Sequence, residues 1–239
     1  LIAIVLVGAV LRIWRLDQIV LRQDEGFSLL YARQAWADVL GMHGAYDFHP
    51  PGFFTLAKLS SLVVDELIAG RVVSVGAAVL TLPVFWMLAT HLLDATSGLV
   101  ATALLAVAPL FVMYSRVARG YALVMLLVLV TWLALVRYRQ TGTDRWAALY
   151  GIAVCLAMYA DYAAIYALIP QAVVLAVVIR ERRRQSLALV IAITVAVIAY
   201  APWLILEFPE TVRSSTDYTR RLSYLAANWD RFWDGLRGL

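Results

Sequence analysis

The sequence of 239 residues holds one cysteine, Cys155, one lysine, Lys58, and few charges of either sign, 15% in all. Each scarcity excludes something. A lone cysteine inside an apolar run leaves no internal disulfide and no thiolate metal cluster. One lysine among 20 basic residues reads as codon bias first and function second. The net charge of +4 is no nucleic-acid footprint, because the arginines gather in short stretches between apolar runs. No internal repeat and no low-complexity linker divides the chain.

What fills the sequence is apolar. Hydrophobic residues make up 63% and mean hydropathy is +0.81, against about 45–50% apolar residues in soluble domains. Several runs approach the roughly 20 residues that cross a bilayer as helix. The fold class is therefore an all-α polytopic membrane protein. Seven spans are predicted: Leu1–Leu16, Val72–Leu93, Ser97–Tyr114, Tyr121–Tyr138, Trp146–Ala160, Ala163–Ile179 and Leu187–Leu206. No small-residue cleavage site follows the first, so it is not a signal peptide. The chain opens on Leu1 already inside a hydrophobic segment, which reads as a piece of a longer protein lacking a short cytoplasmic start and a C-terminal part.

Basic residues choose the orientation. Arg137, Arg139 and Arg145 share one short loop, and Arg180, Arg182, Arg183 and Arg184 another. Two spans separate these loops, which puts both in the cytoplasm. The segments around Arg116 and Asp161, and everything after Leu206, are then external. Gly52–Val64 is apolar but reaches only ~20 Å as a helix, short of the ~30 Å hydrocarbon core. Residues 17–70 accordingly form one long external loop. Within it Gly26–Met42 reads as an amphipathic surface helix, with Leu29, Ala32, Trp36, Val39 and Leu40 at helical spacing. A second such helix is predicted at Thr219–Leu236. The expected organisation is a membrane module over 1–206 and an external amphipathic tail over 207–239.

The polar residues that remain are few and stand at span ends. Asp24 and Glu25 follow the first span, and a carboxylate there costs free energy unless it reaches water or a partner. Two readings stand for Asp24. It is a favoured N-cap, with Glu25 suited to the positive first turn, or it is a fixed general base for an incoming hydroxyl. It also has the hard oxygen chemistry for a divalent cation. His49-Pro50-Pro51 starts a helix well, and His49 is either an interfacial side chain or a hydrogen-bond donor to phosphate. Arg116 and Arg119, three apart, fall on one helical face. They either snorkel or form a fork for phosphate oxygens, with Gly120 giving a head group room. Asp161, in Tyr159-Ala160-Asp161-Tyr162, suits a solvated turn. Glu66 and Arg71 are placed to pair with each other. Arg12 and Arg15 read as snorkelling residues with phosphate contact as the second reading.

Taken together, an N-terminal span, Asp24-Glu25 opening a helix, His49-Pro50-Pro51, and Ser115-Arg-Val-Ala-Arg119-Gly-Tyr121-Ala-Leu resemble the GT-C membrane glycosyltransferases. The resemblance is to the dolichyl-phosphate-mannose protein mannosyltransferases and the lipid A aminoarabinose transferases, and it runs from the first span to about Pro202-Trp203. It implies a core of seven N-terminal spans, a polyprenyl-phosphate-linked sugar as donor, and transfer on the external face of the plasma membrane. It matches the acidic pair Asp24-Glu25 as the catalytic station, with a base or acceptor-positioning role for Asp24, and lipid-phosphate contacts to His49, Arg116 and Arg119. Beside these, Tyr121 is a further candidate for the donor phosphate, and Asp161, Tyr162, Glu66 and Arg71 are candidate substrate contacts. It requires no cofactor and leaves a divalent cation at Asp24 open. The sequence departs from some relatives that have Lys where His49 stands and from many with His at Asp161. The expected partners are the lipid-linked donor, the bilayer and an acceptor hydroxyl of protein, glycan or lipid. Two rival functions stay open, a transporter or flippase for the same lipid and a non-catalytic homologue in an envelope-assembly complex.

Overall fold

A computed structural model describes residues 1–20, 22–41, 49–181, 186–209 and 213. Every regular element among them is helical. In chain order these are α1 (Ile2–Ile13), α2 (Gln23–Arg33), α3 (Trp36–Gly41), α4 (Gly52–Ser60), α5 (Glu66–Leu92), α6 (Ala95–Val107), α7 (Pro109–Ser115), α8 (Tyr121–Thr141), α9 (Asp144–Ala160), α10 (Ala164–Glu181) and α11 (Leu187–Pro202). A π-helical turn, Trp203–Glu207, continues α11. Four helices are long and apolar enough to cross a membrane: α5, α8, α10 and α11 with its π turn. The bent pair α6–α7 makes a fifth if counted as one span. The chain is helical at all seven places where spans were predicted, but α1 has 12 residues and α9 has 17. Those lengths correspond to ~18 and ~26 Å.

The bundle is built on α5, α8, α9 and α11, which pack most extensively. Leu135, Tyr138, Tyr150 and Leu189 lie buried in one core between α8, α9 and α11. A second core holds Tyr31, Val39, Phe53, Phe54 and Ala57 and fixes the short helices to the end of α5. α4 has nine residues, about 14 Å at helical rise, far short of a crossing. His49 before α4 and Glu66 after it both contact groups at the same end of the bundle. The stretch from Asp17 to Gly70 therefore begins and ends at one end.

Local chemistry corrects several sequence expectations. The predicted span Ser97–Tyr114 begins two residues earlier, where Asp94 Oδ1 accepts the amides of Thr96 and Ser97. It then breaks by 59° between α6 and α7, because Pro109 has no N–H and forces Ala108 out of helical geometry. The break leaves carbonyls without helical partners, and Arg12 takes one. Its Nη1 donates to Ala106 O at 2.9 Å and to Gly8 O at 2.8 Å, and its guanidinium sits 4.6 Å from the centre of the Phe111 ring. Arg12 is fully buried. It does not snorkel.

The amphipathic helix expected over Gly26–Met42 is two helices, α2 and α3, and Met42 lies outside the described residues. Lys58 caps the break. Its ammonium donates to Ala32 O and Gln34 O, where α2 runs out of partners, and stands 5.0 Å from the Trp36 ring. The one lysine of the chain thus caps a helix end from a distance. Of the apolar positions at helical spacing, Trp36 and Leu40 are exposed and Ala32 and Val39 are buried, and Tyr31 is buried against Phe54. The helix expected over Thr219–Leu236, and the loop residues Arg182, Arg183 and Arg184, lie outside the described residues.

Candidate functional site

α2 begins at Gln23 with Arg22 as its N-cap, so Asp24 is the second helical residue and not the cap. Glu25 performs the capping, since its Oε2 accepts the Arg22 amide at 3.0 Å. Glu25 is buried, and its carboxylate is fully committed. Oε1 accepts from Arg71 Nε and from the Ala118 amide, both at 2.8 Å, and Oε2 accepts from Arg71 Nη2 at 2.8 Å. Arg71 spends its remaining N–H groups on Leu16 O, Ile19 O and Val20 O. Burial pushes the Glu25 carboxyl up. The Arg71 hydrogen bonds, the Arg22 and Ala118 amides and the Arg71 charge outweigh this and hold it below the usual carboxylate range.

This pair overturns the expected Glu66–Arg71 contact. Glu66 instead accepts from Arg33 on the surface. Arg71 is 1% exposed and serves as a strut inside the protein, with no face to offer a substrate.

The Ala118 amide belongs to the stretch Arg116–Gly120 between α7 and α8, which is not helical. Ser28 Oγ donates to Ala118 O at 2.7 Å, and Ser74 Oγ donates to Arg119 O at 3.1 Å. α2 and α5 thus hold the loop by its backbone. Because no helix aligns them, Arg116 and Arg119 part. Arg116 Nη2 donates to the carbonyls of Trp14 and Arg15 after α1. Arg119 turns the other way, its Nη2 3.3 Å from His49 Nδ1. The expected two-arginine fork is not assembled.

His49 is the centre of the cluster that does assemble. Its Nε2 lies 3.6 Å from Asp161 Oδ2, and its ring stacks on Tyr162 at 5.3 Å between centroids. Arg119 can only donate, so a hydrogen bond here uses Nδ1 as the acceptor and leaves Nε2 on the side of Asp161. Asp161 forms the turn after α9, its Oδ1 accepting the Ala163 amide at 2.8 Å, and it is buried, not solvated. Two glycines permit the approach. A Cβ on Gly52 would lie 2.4 Å from Tyr159 O, and one on Gly120 would lie 2.8 Å from Ala160 O. Arg119, His49, Asp161 and Tyr162 therefore come together from a loop, the segment before α4, and the end of α9.

Below Tyr162 an apolar groove of about 650 Å³ runs between α9, α10 and α11, lined among others by Cys155, Met158, Leu168 and Val197. A separate crevice of about 310 Å³ lies beside Tyr114 and Tyr121, whose rings meet edge-on at 5.5 Å. Tyr121 thus borders that crevice with Tyr114. Asp24 is partly buried, with Arg22 Nε 3.9 Å away. Among the described residues no three His, Cys, Asp or Glu side chains gather to hold a metal ion. Sequence reading missed Ser28 and Ser74, whose signal is only a hydroxyl on an otherwise apolar helix face.

The family model of the dolichyl-phosphate-mannose-protein mannosyltransferases matches residues 48–206. The chain belongs to that family. No curated protein matches the chain. The mannosyltransferase match takes in His49, Arg116, Arg119 and Asp161, and it ends near the Pro202-Trp203 limit read from the sequence. The acidic pair precedes the matched stretch. Membership makes the chain an integral membrane protein of glycosyltransferase type, in a family that draws on polyprenyl-phosphate-linked sugars.

Proposed function

We propose that this protein transfers a sugar from a polyprenyl-phosphate donor to an acceptor hydroxyl at the external membrane face. The observation that carries this reading is the position of Arg119 and His49 at the head of the apolar groove, with Tyr162 common to both. An amphiphile with an anionic head and a long hydrocarbon tail fits that pairing. The phosphate lies against the Arg119 guanidinium, and the chain lies in the groove. The acceptor oxygen bonds to the anomeric carbon as the carbon–oxygen bond to phosphate breaks. The bonding electron pair leaves with the phosphate, the hydroxyl proton passes to the Asp24 carboxylate, and the single displacement inverts the centre. Arg119 stabilises the charge gathering on the departing phosphate. Asp161 stands beside Nε2 of His49, and Glu25 with Arg71 holds the loop that presents Arg119.

The test is donor affinity. Arg119→Ala is expected to weaken binding of the lipid-linked donor by ~1.5–3 kcal/mol, the usual value of a hydrogen bond to a charged group. Arg119→Lys should restore part of it, because the planar fork is lost. Arg116→Ala should change donor affinity far less, since its Nη2 is held by the Trp14 and Arg15 carbonyls, away from His49. Unaltered donor binding in Arg119→Ala would remove the phosphate from this site.

Sidedness is tested by labelling. In a Cys155→Ala background, a cysteine at Gly142 should react only from the cytoplasm and one at exposed Val63 only from outside. Reaction of both from one side would overturn the external site.

A flippase for the same lipid is favoured by one feature, the broken span α6–α7 with buried Arg12 at its break, because transporters build sites on discontinuous helices. Detergent separates the two readings. Sugar transfer in micelles, where no second leaflet exists, is expected of the enzyme, and its absence alongside lipid translocation in vesicles would favour the flippase.

A further inference from the structure

Two residues that line the groove carry polar atoms left without a partner. Tyr200 and Trp203, both lining residues, are 8% and 3% exposed. The Tyr200 hydroxyl and the Trp203 indole N–H are buried without a hydrogen-bond partner. Leaving such groups unpaired costs about 1–3 kcal/mol each, and native proteins rarely keep them without a reason. Their position narrows the reason. α11 runs toward the end of the bundle that carries Asp161 and Tyr162, and these two residues close it there. The Tyr200 ring is 5.2 Å from Tyr159 and 5.5 Å from Trp203, and Trp203 is 5.5 Å from Phe208. Directly after Pro202 the backbone widens into a π-helical turn starting at Trp203, a deformation that recurs at functional sites. Apart from Tyr162 and Cys155, the other lining residues carry no side-chain hydrogen-bond donor.

We infer that Tyr200 and Trp203 are specificity-determining residues for the lipid in the groove, donating hydrogen bonds to an oxygen of its phosphate where head meets chain. The inference rests on the lipid-donor reading above and names residues that reading does not use. A bare prenyl chain has no oxygen to offer, whereas a polyprenyl phosphate brings acceptors to the level of Tyr162. Arg119 and His49 hold the phosphate from the loop side, and Tyr200 and Trp203 hold it from the groove side. The groove thereby selects a phosphate-capped chain over a polyprenol of equal length.

Cys155 supplies the measurement, since it is the only thiol in the chain and lines the groove. Alkylation of Cys155 by monobromobimane in the full chain is followed against added undecaprenyl phosphate, undecaprenol or dioleoyl phosphatidate. In the wild type, undecaprenyl phosphate should protect Cys155 at lower concentration than either other lipid. Tyr200→Phe and Trp203→Phe should each raise its half-protecting concentration about tenfold, the scale of a lost hydrogen bond to a charged group. Protection by undecaprenol should not change, which shows that the groove itself is intact. Unchanged phosphate protection in both variants, equal loss for both prenyl lipids, or equal protection by phosphatidate overturns the inference and leaves the donor reading standing. Wild-type Cys155 that neither prenyl lipid protects overturns the donor reading and this inference with it.

Discussion

Asp24→Asn is expected to lower the rate of sugar transfer by roughly 10²–10⁴-fold, the range that general-base catalysis contributes, with the fold and donor affinity intact. Asparagine keeps the size and hydrogen-bonding reach of aspartate but takes no proton at neutral pH. The structure makes this a cleaner experiment than the sequence promised. Asp24 is not the N-cap of α2, and the Arg22 amide is satisfied by Glu25. Removing the Asp24 charge costs the helix only its interaction with the first-turn dipole, about 0.3–1 kcal/mol. Even Asp24→Ala should therefore fold. Turnover by Asp24→Asn is to be measured at matched protein and saturating donor. A near-normal rate would strip Asp24 of the base role.

Glu25→Ala is expected to destabilise the protein by about 3–5 kcal/mol, because it leaves the Arg71 guanidinium buried without its counter-charge. Four hydrogen bonds end on this carboxylate, from α2 itself, from α5 and from the loop before α8. Arg71→Met should do comparable damage, and the double variant should lose less than the sum of the two. Acid should reproduce part of the effect. The Glu25 carboxyl is held below its usual range in the folded state, so its contribution is full above the unfolded value of about 4.3. It is lost as pH falls through the folded value. Thermal unfolding in detergent from neutral to acid pH should show this loss in the wild type and a flatter dependence in Glu25→Gln. An identical profile in both would mean that another carboxylate governs acid stability.

These two carboxylates show what the sequence conveys and what it withholds. Adjacent acidic residues after a first span were legible as a polar station in a chain with few charges. Their division of labour was not. One is locked inside and the other left accessible, and that follows from Arg71 arriving 46 residues later and Ala118 93 residues later. The helices were legible because apolar length and loop arginines carry them. The break at Pro109 was also in principle legible, since proline removes an amide wherever it falls. Arg116 and Arg119 were misjudged because spacing of three means a shared face only on a helix, and here it spans a loop. The cluster of Arg119, His49 and Asp161 draws on three segments with no local pattern in common, so their meeting was beyond any reading of spacing.

The lock between Glu25 and Arg71 also sets an order on biosynthesis. At synthesis rates of about 5–20 residues per second, Arg71 follows Glu25 by about 2–9 s. Throughout that interval Glu25 carries its charge without the group that later neutralises it. Water is the favoured place for the nascent segment while α5 is made, since an unpaired carboxylate is costly in hydrocarbon. Arrival of Arg71 gives it a partner, and arrival of the 116–120 loop supplies the final amide. The stretch between α1 and α5 thus acts as a holding bay for Glu25 until the helix that closes it has been made.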